Sequence, residues 1–173
     1  LRYGENPHQE SSIYINKKLK LKQLNGKKLR YNNYNDIFAA LNICKSLPKN
    51  QGTVIIKHAN PCGVAVNSNK IESFKLALKS DPISAYGGIV SCNFKINKKL
   101  ANELDKIFFE VIIADAFDKD SLKILKKKKN LRIIDSSDLK NNEILSYNNS
   151  FNTLLLQTTD NLKFSSKNFK VVS

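Results

Sequence analysis

Methionine and tryptophan are both missing from the 173 residues of this chain. Translation begins with methionine, so the chain is expected to start inside something larger or to have been processed. Arginine is scarce: Arg2, Arg30 and Arg132 stand among 29 basic residues, against 15 acidic ones, for a net charge of +14. Base recognition leans on arginine, and sequence-independent stacking on aromatics in a groove. A lysine excess spread along the whole chain provides neither, and biased composition alone raises charge, so nucleic acid is not the expected partner. The run Lys126-Lys127-Lys128-Lys129 reads as a solvated helix C-terminus, where cations complement the dipole. Cysteine is limited to Cys44, Cys62 and Cys92, odd in number and without C-x-x-C spacing. That argues against a disulfide framework and a structural zinc site. No stretch reads as a signal peptide, and no apolar run approaches the ~18 residues of a membrane span. The expectation is a soluble, cytoplasmic protein, long enough for one domain that buries roughly 70% of its unfolded surface.

What is present alternates. Residues 1–10 lack periodicity but are dense in hydrogen-bonding groups, which fits either a solvated tail or a phosphate- or base-binding loop. A β-pair is expected from Ser12–Ile15 and Leu19–Leu24, with Asn25-Gly26 as its turn. Asn35 or Asp36 is expected to cap a helix whose apolar stripe is Ile37, Ala40, Leu41, Cys44 and Leu47, ended by Pro48. Thr53-Val54-Ile55-Ile56 is a β-branched run that reads as a buried strand. Further helices are expected at about 70–79, 97–107 and from Asp120 or Ser121, and further strands at 89–92, 108–114, 131–134 and 153–157. The polar, Asn-rich region 136–150 reads as loop. Alternating units of this kind give a layered α/β domain with a mixed sheet. Glu110 interrupts the apolar run 108–114; on a central strand a carboxylate is expected to be functional or paired.

Lys57-His58-Ala59-Asn60-Pro61-Cys62-Gly63 is the segment with most chemistry. It comes directly after the strand at 53–56, and Asn-Pro-Cys-Gly is expected to turn the chain. Ligands of α/β sheets bind beyond the carboxyl ends of strands, which places Lys57 and His58 well. Two chemical readings compete, beside a purely structural histidine. A zinc deaminase is suggested by His58-Ala59-Asn60 and Pro61-Cys62, but Asn60 stands at the catalytic Glu position and Ala65 at that of the third ligand, so no metal is expected. The other reading is group transfer on an anionic ligand, with Lys57 supporting an oxyanion and His58 moving a proton near neutral pH.

Four motifs in order, Arg2-Tyr3-Gly4-Glu5-Asn6-Pro7-His8-Gln9, Lys57 to Gly63, Asp81-Pro82-Ile83-Ser84-Ala85-Tyr86-Gly87-Gly88 and Phe109-Glu110-Val111-Ile112-Ile113-Ala114, closely resemble the formyltransferase region of the AICAR transformylase/IMP cyclohydrolase family. The resemblance runs over residues 1 to about 160. It implies a cytidine-deaminase-like α/β subdomain without zinc over 1–160, with 161–173 opening a linker or second subdomain. It further implies formyl transfer from 10-formyltetrahydrofolate to the 5-amino group of AICAR, with Lys57 and His58 catalytic. Arg2 (toward the phosphate), Tyr3, His8, Asn32, Ser84, Tyr86, Gly87 and Glu110 would then contact substrate. A cyclohydrolase domain, a second transformylase subdomain and a partner subunit of a homodimer would complete the family protein, so this portion alone is expected to be inactive. Tyr86 stands where the family has Phe, Asp115 where Pro follows Ile-Ile-Ala, and Asn152-Thr153 where Gly-Gly precedes the last strand. The alternative is a non-catalytic nucleotide- or RNA-binding module on the same fold.

Overall fold

The computed structural model describes residues 1, 3–15, 21–139 and 145–160. They fall into two compact units that divide after Leu139. The first contains β1 (Lys22–Asn25), α1 (Tyr31–Ser46), β2 (Gly52–Lys57), β3 (Asn60–Val66), α2 (Lys70–Ser80), α3 (Pro82–Ala85), β4 (Ile89–Ile96), α4 (Lys98–Asp105), β5 (Val111–Phe117), α5 (Lys119–Leu125) and β6 (Arg132–Asp135). The second holds β7 (Leu145–Ser150) and β8 (Thr153–Thr158), an antiparallel hairpin. Leu154, Leu155 and Leu156 of β8 are all more than half exposed.

The six strands of the first unit form one mixed sheet in the order β1-β6-β5-β4-β2-β3. β4, β5 and β6 are parallel, whereas β2 is antiparallel to β4 and to β3, and β1 to β6. Side chains alternate across a pleated strand, and both faces here are apolar, so the sheet is covered on each side. Val54, Ile56, Val111, Ile113 and Ile134 pack with Ile37, Ala40, Leu41 and Cys44 of α1. On the opposite face Ile55, Val90, Ile112 and Ile133 pack with Phe74 and Ala77 of α2, Leu100 and Leu104 of α4 and Leu125 of α5. Each fully buried Ile, Leu or Phe contributes about 1.5–3 kcal/mol over exposure. The stripe expected of α1 is therefore its core face. Burial pushes the Cys44 thiol up to about 11, in keeping with a core residue. No helix among the described residues is long and apolar enough to cross a membrane.

Several expectations are corrected. α1 begins at Tyr31, not at Asn35 or Asp36, because the Arg30 N–H is taken by the Asn33 Oδ1 at 3.1 Å, which starts the helix a turn earlier. Lys22–Asn25 pairs with β6 rather than with Ser12–Ile15, which forms no strand. Asp118, two residues before the expected cap, opens α5 by accepting the Ser121 N–H at 2.6 Å. Lys128 is no solvated charge: its ammonium donates to the carbonyls of Asp105 and Ile107 and pairs with the Asp105 carboxylate, closing the C-terminus of α4. Within 136–150 the Asn-rich stretch 145–150 is strand, paired with β8.

The Asn-Pro-Cys-Gly segment is not a turn but the first half of β3. β3 lies at the sheet edge, so Pro61 removes no ladder bond, and a bulge between its pairings to Ile55 and Ile56 absorbs Cys62. Two residues on, β3 meets α2 so closely that a β-carbon at Gly63 would lie 2.0 Å from the Ala77 carbonyl oxygen. Backbone cannot step aside as a side chain does. Gly63→Ala should therefore destabilise the chain by about 1–3 kcal/mol in urea unfolding. An unchanged midpoint would mean that β3 and α2 are not held this tightly.

Candidate functional site

β2 and β3 are joined by two residues, His58 and Ala59, both with positive φ (53° and 60°). This is the conformation of a type I′ hairpin turn, whose twist matches the flanking strands. Neither residue is glycine, so the turn is held from outside. The Ala59 N–H donates to the Asp36 carboxylate of α1 at 2.7 Å, and the Asn60 amide donates to the His58 carbonyl at 2.9 Å. His58 is thus presented at the tip, exposed, while Lys57 is half-buried beneath it. Burial holds the Asp36 carboxyl above its usual range, against the opposing pull of the Ala59 N–H and of His58.

The Lys57 ammonium donates to the Tyr86 carbonyl at 2.9 Å. Tyr86 comes after α3, whose N-terminus Asp81 caps by accepting the Ser84 N–H at 2.9 Å and the Ser84 hydroxyl at 2.6 Å. Gly87 then takes φ 74°, and its N–H donates to the Phe108 carbonyl at 2.8 Å, bringing the Tyr86 and Phe108 rings to 5.3 Å. The Glu110 N–H donates to the Gly88 carbonyl at 2.9 Å, and the Arg132 N–H to the Glu110 carbonyl at 3.1 Å. Glu110 is therefore pinned just before β5 rather than within a strand.

Its carboxylate is paired. The Glu110 Oε2 accepts from the Asn33 amide at 3.1 Å and lies 3.7 Å from the Arg30 guanidinium and 3.6 Å from that of Arg132. Arg30 also donates to the Tyr3 hydroxyl at 2.8 Å.

The site thus gathers Tyr3, Lys57, His58, Tyr86, Gly87 and Glu110 on one rim. That rim is the carboxyl end of β2 and of β1 but the amino end of β4, β5 and β6, so the expectation of a site beyond the carboxyl ends of the strands holds for only part of the sheet. Ser84 is occupied in capping α3. Asn32 is exposed and donates to the Glu5 carbonyl at 3.3 Å; its neighbour Asn33, buried, is the one that reaches Glu110. His8 is exposed on the 4–9 turn, and no described hydrogen bond ties it to the rim. Arg2 lies outside the described residues. Sequence reasoning misses Arg30, Asn33, Asp36 and Arg132 as site residues. Arginine scarcity is the available signal, since the two described arginines converge on one carboxylate. A lysine, an imidazole and a fixed carboxylate at one rim can support a developing oxyanion, move a proton and accept a ligand N–H.

A family model described as AICARFT/IMPCHase bienzyme matches residues 1–173. The chain belongs to that family. The bifunctional purine biosynthesis protein PurH of a Thermoanaerobacter species is 40% identical over 185 residues, covering 100% of this chain and 35% of the relative. PurH of Leptospira biflexa serovar Patoc is 46% identical over 136 residues, covering 78% of this chain and 26% of its own. The chain thus spans about a third or less of the length of these family members. A solved structure of Acinetobacter baumannii RibD superposes on 57% of the chain with a TM-score of 0.44 and 15% identity, a likeness too slight to carry an assignment.

Asp36 gives the rim of this bienzyme-family chain a pH signature. With its carboxyl raised above 3.8, the folded state holds a proton that the unfolded state releases, so stability falls as pH rises through that window. Asp36→Asn keeps an acceptor for the Ala59 N–H and removes this loss. The stability of the variant relative to the parent should rise from pH 4 to pH 7 in parallel urea titrations. A difference independent of pH would mean that Asp36 folds with an ordinary carboxyl.

Proposed function

We propose that this chain provides the nucleotide-facing half of an AICAR transformylase site, which passes the formyl group of 10-formyltetrahydrofolate to the 5-amino group of AICAR in purine biosynthesis. The observation that carries the reading is the pairing, on one rim of a chain of this family, of the His58 turn with the Lys57–Tyr86 and Glu110 contacts. The aromatic amine is a weak nucleophile. Its nitrogen forms a bond to the formyl carbon, and the resulting tetrahedral oxygen carries negative charge. Lys57 supports that charge, and His58 takes the amine proton and returns it to the folate nitrogen as the old C–N bond breaks. Tyr86 lies beside the base, and the Glu110 carboxylate receives N–H donors of the heterocycle. Arg2, Tyr3, His8 and Asn32 hold the nucleotide, with Ser84 and Gly87 shaping the loop beside it.

The resemblance supports a zinc-free, cytidine-deaminase-like subdomain over 1–160 and a linker or further subdomain from 161. The whole protein is read as a cytoplasmic homodimer with a second transformylase subdomain and a cyclohydrolase domain, to which IMP cyclohydrolase activity belongs. The chain alone is expected to bind but not to turn over.

Calorimetric titration of AICAR tests this. We expect 1:1 binding that weakens about tenfold or more when Lys57→Ala and His58→Ala are combined, since charge-assisted contacts are worth roughly 1.5–3 kcal/mol each. Salt-sensitive affinity for generic RNA, with no preference for the purine ribonucleotide, would overturn the reading in favour of a non-catalytic binding module.

A further inference from the structure

Arg132 is the one charged residue among the described ones that is buried, at 6% exposure. Its side chain is tied by a single hydrogen bond, from Nε to the Lys27 carbonyl at 3.1 Å. The terminal nitrogen nearest Glu110 stops 3.6 Å from the carboxylate, an ion pair without a hydrogen bond. A guanidinium has five N–H donors, and the terminal nitrogens of Arg132, without a hydrogen bond among the described residues, are not sealed from solvent and can meet a ligand. Arg30 adds a second guanidinium 3.7 Å from the same oxygen. Two cations thus share one carboxylate, and one positive charge is left over in a partly desolvated place. Burial, with the Arg30 charge also opposing it, disfavours the protonated form of Arg132. The balance of charge favours a second anion beside the carboxylate.

Both guanidiniums line a cavity of about 850 Å³. One wall is the connection from β1 to α1, with Lys27 and Lys28, and the other the connection from α5 to β6, with Lys128 and Lys129. The walls are fixed against each other. The Asn25 amide donates to the carbonyls of Lys128 and Leu131 at 3.2 and 2.8 Å. Gly26, at φ 92°, approaches so closely that a β-carbon would lie 2.3 Å from the Leu131 carbonyl oxygen. Among the described residues, six cationic side chains and one carboxylate, Glu110, line the space. Lys128 is committed to Asp105, whereas Lys27, Lys28 and Lys129 are exposed. Phe108, Phe109, Leu29 and Leu131 supply apolar surface. Lys57, His58 and Tyr86 are not among the lining residues.

We propose that this cavity is an oxyanion-binding site, in which Arg132 and Arg30 take a phosphate or carboxylate group of a ligand whose organic part rests on Phe108 and whose further charge meets the lysines at the mouth. Planar guanidiniums suit both groups through paired N–H bonds. The site goes beyond the formyl-transfer reading: it shares Glu110 with that reading but makes no use of Lys57 or His58, so phosphate or citrate binding lost in the arginine variants is distinguishable from AICAR binding lost in the Lys57 and His58 variants. A phosphate ester and a chain of carboxylates are the two sources of such a group.

The test is calorimetry on the full 173-residue chain, with inorganic phosphate and citrate as separate probes at low salt. Arg132→Met, Arg30→Gln and, as a control for general charge, Lys99→Ala are compared with the parent. The proposal expects saturable 1:1 binding that weakens about tenfold in the two arginine variants and little in the control. Preference for phosphate assigns the site to an ester, and equal or tighter citrate binding to a carboxylate chain. Absence of saturable binding, or equal losses in all three variants, overturns it. Should Arg132→Met fail to fold by circular dichroism, Arg30→Gln decides.

Discussion

One reversal of direction places everything on the rim. β2 runs against β4 while β4, β5 and β6 run together, so the end of β2 lies level with the starts of the other three. The register makes this a continuous row, Ile56 opposite Ile89, Ile89 opposite Val111 and Val111 opposite Arg132. The chain leaving Ile56 must therefore meet the chain entering Ile89 and the chain entering Val111. Lys57, Tyr86 and Glu110 lie on those three segments. The same geometry sets Arg132 at the first position of β6, where its backbone binds Glu110 and its side chain faces the carboxylate.

Apolar packing makes the row rigid and electrostatics makes it reactive, and the two meet at α1. Its body is core, and its first turns carry Asn33 and Asp36 to Glu110 and to the His58 turn. A single helix thereby fixes the two chemically distinct ends of the rim. Side chains so positioned are expensive to desolvate alone, which is why each has a partner: Asp36 an N–H, Glu110 an amide and two guanidiniums, Lys57 a carbonyl.

Much of this is readable from residues alone. β-branched runs and apolar stripes locate the central strands and the buried face of α1, and Lys57-His58 marks the chemistry. Strand direction is not readable, because it depends on the length of the His58-Ala59 connection. Asn-Pro looks like the stronger turn signal, yet an edge strand tolerates proline, and Asp36 stabilises two positive-φ residues without glycine. The partners of Glu110 are hidden for a related reason. Asn33 lies 77 residues away in sequence, and local pattern carries no trace of so distant a contact. Asn32 and Asn33 look alike in a sequence; helix phase alone buries the second and leaves the first in solvent.

The connection that carries His58 is fixed in length and tolerant only of residues that accept positive φ. Adding or deleting one residue there would shift the pairing of β3 by one, turn its outward side chains inward and carry Gly63 away from its place against Ala77. No neighbour at positions 63 to 65 could then keep its place against α2. Exchange at 58 among residues that accept positive φ, by contrast, alters mainly what is displayed at the tip. The hairpin is in effect a fixed mount for interchangeable heads, so the imidazole can vary without any change in the frame that aims it.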